Sequence, residues 1–156
     1  MIFLRLVALI TVLVAASSAL AQLKPAPPVG TSVVPTNDPA IAMKEVAAQA
    51  TAEKWLALLD RGEYGTAWDE CAKLFRDRVT RQQWVESLPT NRAGFGAAKG
   101  RRVEFAGYKS SIPGAPEGQY VTVRFRTAFE TKENAEEQVT LILEDGLWRP
   151  TGYFIR

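Results

Sequence analysis

Histidine is absent from all 156 residues. That excludes a His-bearing catalytic triad, a Cys–His pair and any His-ligated metal. Cysteine occurs once, as Cys71, so no disulfide can close within the chain. Net charge is scarce as well. Nineteen Lys+Arg against 17 Asp+Glu leave +2, too little for the electrostatic footprint of a nucleic-acid binder. The Gly-bearing segment around Arg92, Gly94, Gly96 and Gly100 has neither GxxxxGK[S/T] nor GxGxxG spacing. Glu133, Glu136 and Glu137 cluster without the spacing of an EF-hand. No metal or cofactor is therefore expected, and nucleic acid is not an expected partner.

What is present reads as a globular chain, with 47% hydrophobic and 23% charged residues. Residues 1–21 have the form of an export signal. Arg5 precedes the apolar run Leu6 to Ala16, and Ala19-Leu20-Ala21 is a small-x-small cleavage site. The run is shorter than the ~20 residues needed to span a bilayer. The expectation is cleavage, no stable membrane insertion afterwards, and a periplasmic or secreted product. Residues 22–37 carry Pro25, Pro27, Pro28 and Pro35 and read as an extended, flexible tether. Residues 38–156 are expected to form a single α+β domain.

The organising stretch is Ala50 to Phe75. Ala48, Ala52, Trp55, Leu56 and Leu59 follow i, i+4, i+7, i+8, i+11, one face of a helix. Asn37 or Asp38 can cap its start ahead of Pro39, and Gly62 can close its end. Tyr64, Ala67, Trp68, Cys71 and Phe75 repeat the spacing in a second helix. Cys71 lies on that apolar stripe and reads as a buried, inert thiol. Thr80 and Gln83 form a capping box for a third helix, with Val79 and Trp84 as its hydrophobic staple and Pro89 as its stop.

From Arg101 the period becomes two. Val103 and Phe105 alternate with Arg102 and Glu104, and Gly107 suggests a bulge. Gln119 to Glu130 is the longest strand, with Val121, Val123, Phe125, Thr127 and Phe129 on one side. Glu137 then shares a face with Val139, Leu141 and Leu143. Asp145-Gly146 is a tight hairpin signal, and Leu147 to Ile155 ends the chain, with Pro150 marking an edge or a bulge. The fold class is α+β: three N-terminal helices packed on a curved, roughly four-stranded antiparallel sheet.

Ordered positions along this chain resemble a known family. They are Trp55-Leu56, Asp60-x-Gly62-x-Tyr64, Trp68, Phe75, Trp84, Arg92, Pro113-Gly114-x-Pro116-x-Gly118-x-Tyr120-Val121, Phe129 and Asp145-Gly146-x-Trp148-Arg149-x-x-Gly152-Tyr153. They look like the bacterial secreted family called domain of unknown function 4019. Its element order is similar to the cone-shaped, nuclear-transport-factor-like (cystatin-like) superfold, which implies a sheet wrapped round a helix with a pocket at the wide end. That superfold includes isomerases, dehydratases and binding modules, so no activity follows from it.

Three functional readings stand at this stage. The first is a non-catalytic module binding an unknown small molecule or protein, with Trp68, Trp84, Tyr120, Phe129, Trp148 and Tyr153 lining an apolar cavity and Arg92 or Arg124 as polar anchor. The second is an isomerase- or dehydratase-like enzyme. It needs a cavity carboxylate, Glu137 or Asp69, and a phenol such as Tyr64, Tyr120 or Tyr153. Against that, Glu137 can simply pair with Arg124 or Arg126 on a neighbouring strand. The third is a homodimeric assembly module that uses the sheet face carrying Tyr120, Thr122, Arg124 and Arg126.

Overall fold

The structure, a computed structural model, describes residues 38–156. The expected signal (1–21) and tether (22–37) lie outside the described residues. The elements run α1 (Pro39–Asp60), α2 (Tyr64–Asp69), α3 (Lys73–Arg76), α4 (Arg81–Ala93), β1 (Ala98–Lys109), β2 (Tyr120–Phe129), β3 (Ala135–Glu144) and β4 (Leu147–Ile155). The strands form one antiparallel sheet in the order β1-β2-β3-β4. The fold is α+β, and no described helix is long and apolar enough to cross a membrane.

α1 begins at Asp38, whose carboxylate accepts from the Ala40 N–H at 2.9 Å, with Pro39 at the first helical position. It ends in a Schellman closure. Glu63 N–H donates to Leu58 O at 2.9 Å and Gly62 N–H to Leu59 O at 3.1 Å, with Gly62 at φ 75°. That closure fixes where Asp60 stands. Ala48, Ala52, Trp55, Leu56 and Leu59 are buried against Val121, Val123, Phe125, Val139 and Leu141 of the sheet.

Among the described residues, four helices replace the expected three. The predicted helix over Tyr64 to Phe75 breaks at residues 70–72 because the sheet takes its backbone donors. Ala72 N–H donates to Pro150 O at 2.8 Å, and Lys73 N–H to the Glu144 carboxylate at 3.1 Å. Cys71 keeps its buried place and donates to Ala67 O at 3.3 Å. Pro89 does not stop the next helix. α4 starts on the Thr80–Gln83 capping box and runs through Pro89 to Ala93. The missing N–H costs one bond, and the side chain of Arg92 is bound to three partners that hold the last turn in place. Arg92 is thus helical, beyond the stop expected at Pro89.

β1 starts at Ala98, before Arg101, and its second register shift falls between Val103 and Phe105, not at Gly107. One extra residue flips the pleat. Phe105 therefore turns outward beneath the Arg124 guanidinium (4.6 Å), while Ala106 and Tyr108 pack on the core. Pro150 sits on the edge strand β4 beside a further register shift. Asp145 and Gly146, at φ 51° and 78°, make the β3–β4 turn.

Candidate functional site

Alternation along β3 puts Glu137 on the inner face with Val139 and Leu141, and its side chain is 0% exposed. A carboxylate without water must be paired and hydrogen-bonded. Here the partners come from four other elements: Arg92 (α4), Arg101 (β1), Thr127 (β2) and Tyr153 (β4). Glu137 Oε1 accepts from Arg92 Nη1 at 2.9 Å and from the Tyr153 hydroxyl at 2.6 Å. Oε2 accepts from Arg101 Nε at 2.8 Å and the Thr127 hydroxyl at 2.6 Å, with Arg101 Nη2 at 2.7 Å. Asp60 closes the ring. Its Oδ1 accepts from Arg92 Nη2 at 2.6 Å and Arg101 Nη2 at 3.2 Å, and its Oδ2 from Arg101 Nη1 at 2.9 Å.

Two guanidiniums thus face two carboxylates, and the cluster is neutral. Burial works against the charge on Arg101, but the Asp60 hydrogen bond and the charges of Glu137 and Asp60 outweigh it and hold the group above its ordinary value. Tyr153 is pushed up by burial first and by the Glu137 charge second, so its phenol stays protonated. Asp60 occupies the last turn of α1, the end at which the helix dipole disfavours a negative charge. The two arginines compensate.

The Arg124 and Arg126 pairings expected for Glu137 do not occur. Both side chains project from the opposite face, where Arg126 binds Glu104 at 2.9 and 3.0 Å. Nor do Glu133, Glu136 and Glu137 converge, since Glu136 faces outward and pairs with Arg156 at 3.1 Å. Asp69 is solvent-exposed against Arg81 at 3.3 Å. Tyr120 is fully buried but projects from the face opposite Val121, and its hydroxyl donates to Pro116 O at 2.7 Å.

The remaining aromatic candidates fill space and do not line one hollow. Trp84 packs against Trp55 (6.0 Å between centroids) and Phe75 (5.2 Å), and Tyr153 against Trp55 (5.6 Å). Phe129 meets Phe95 at 5.3 Å and lies 5.5 Å from the Arg92 guanidinium. The Trp68 indole donates to Val79 O at 2.8 Å, and Trp148 is half-buried opposite Leu143.

Open space lies at the rim of the charge cluster. A cleft of about 220 Å³ runs between Leu59 and Asp60, Tyr64, the Pro89–Ala93 turn and the Gly96–Ala98 segment, with Arg92 in its wall. A second cleft of about 210 Å³ borders Glu53, Arg101, Val103 and Phe125. Sequence reasoning found Glu137, Arg92 and Tyr153 but missed Asp60, Arg101 and Thr127 as members. Arg101 carried a readable signal, an arginine in phase with Val103. Asp60 carried another, an acid at a helix C-terminus.

The family described as "Protein of unknown function (DUF4019)" matches residues 51–153. The chain belongs to this family. The matched stretch contains all six residues of the cluster. A comparison with curated proteins gave no match. The DUF4019 assignment thus fixes kinship and leaves activity to be argued from the geometry.

Proposed function

We propose that this DUF4019 chain is an exported, non-catalytic binding module whose ligand occupies the cleft beside Asp60, Tyr64 and Arg92. One observation carries the reading: both oxygens of Glu137 are taken up by protein donors in a site without solvent. A general base needs a lone pair directed at the substrate, and Glu137 has none to offer. Asp69 faces water, and the Tyr120 phenol is committed to Pro116 O. The closed cluster instead supplies a rigid wall, which favours recognition at its open rim.

Thermal denaturation against a library of small polar compounds tests this, run on the native chain and on Ala93→Trp. Ala93 is exposed at the cleft, so the indole fills the space without entering the core. A ligand should raise the native melting temperature and lose its effect in the variant. A library without any stabiliser, or stabilisers that act equally on both proteins, overturns the reading. Export is checked separately by cell fractionation, which should give a product shortened by residues 1–21.

A further inference from the structure

Two helices end at the cleft. α1 stops at Asp60 and α4 at Ala93, and both last turns form its walls. Each helix C-terminus is the negative end of its dipole, with the Leu58 and Leu59 carbonyls of α1 already taken up by the Schellman bonds. Asp60 adds a carboxylate, the most open charged group of the cluster: its side chain is 26% exposed, against 15% for Arg101, 8% for Arg92 and 0% for Glu137. Among the described residues, Asp60 Oδ2 accepts only from Arg101, leaving a lone pair for another donor. Arg92, the cation in the wall, is already held by Asp60 and Glu137 at 2.6 and 2.9 Å. Tyr64 contributes an aromatic ring, and Leu59 and Pro89 contribute apolar surface.

Resting on the binding reading above, we infer that the cleft takes a positively charged organic group, an alkylammonium or a guanidinium, in preference to an anion. Its volume is below the roughly 300–1,000 Å³ of drug-sized sites, and so suits one short cationic chain. The charged head pairs with the Asp60 carboxylate. The stem lies on Leu59 and Pro89, and the Tyr64 ring adds cation–π attraction.

The test is an amide chemical-shift titration of the full chain with n-butylammonium, methylguanidinium, acetate and inorganic phosphate. The two cations should shift Asp60, Tyr64, Ala93 and Gly96 saturably, and the anions should not. Asp60→Asn should weaken cation binding roughly tenfold or more. Tyr64→Leu, outside the charge cluster, should weaken it less and serves as the probe if Asp60→Asn fails to fold. Ala93→Trp should abolish it. If acetate or phosphate shifts the cleft and the cations do not, the cationic class is overturned while the binding reading stands. Cation shifts that do not saturate, or that persist in Ala93→Trp, overturn the inference as well. If no probe moves the cleft, the binding reading itself falls.

Discussion

Glu136 and Glu137 are neighbours in sequence, yet they live in different physical regimes. Both pair with arginine. Glu136 meets Arg156 on the outer face, where the Arg156 side chain is 67% exposed and that of Glu136 16%. Glu137 meets Arg92 and Arg101 on the inner face, with no exposure at all. One step along β3 separates a pair open to solvent through its arginine from one whose carboxylate has no exposure. The lesson is that pairing does not set the value of a charge; the solvent around it does. An exposed pair gains little, because water screens it and holding two long side chains costs entropy. A buried pair must repay desolvation, and removing one partner strands the other without water.

The largest effect is expected at Glu137. Glu137→Gln leaves Arg92 and Arg101 one carboxylate short and should cost about 3–5 kcal/mol in urea unfolding. A loss no larger than that of Glu136→Gln would erase the contrast between the faces.

Alkaline pH should come next. Burial pushes the Cys71 thiol from 9.0 up to about 12. A folded value above the unfolded one means the stabilisation is complete below pH 9 and is lost as pH rises towards 12. Tyr153, raised above its ordinary 10.0, acts in the same direction from about pH 10 upward. Melting temperature should therefore fall across pH 9–11, and Cys71→Ala should flatten the slope. An unchanged slope would mean that Cys71 opens to solvent.

Tyr153→Phe sharpens the inner face further. It removes a donor to Glu137 Oε1 and an acceptor for Arg92 Nη1, at 2.6 Å each. The expected loss is about 1–3 kcal/mol by chemical denaturation, while the ring's packing on Trp55 survives. The smallest effect belongs to Glu136→Gln, at about 0–1 kcal/mol and shrinking further in high salt. A larger, salt-independent loss there would show that the outer pair is not governed by solvent.

Much of this was legible in the residues, and the exceptions share a cause. The Thr80–Gln83 box, the Asp145-Gly146 turn, the Gly62 closure and the alternation of β2 and β3 are local devices, decided within a few positions of chain. The Tyr64–Phe75 helix broke because Pro150 and Glu144, some seventy residues on, took its donors. Pro89 failed to end α4, whose last turn is held by the side chain of Arg92. The Val103–Phe105 register shift reversed the facing of Phe105, and no glycine announced it. At the site, alternation turned Glu137 inward, but only the docking of α1 and α4 onto the sheet showed that its partners are Arg92 and Arg101.

The chain's own pattern thus determined the α+β class, the helix starts and turns, and the inward aim of Glu137. These follow from periodicity and capping, which act at short range. The tertiary structure decided which charges meet, which aromatic rings close the interior and where a cleft stays open. Those depend on groups brought together from distant positions, and burial then sets what each contact contributes.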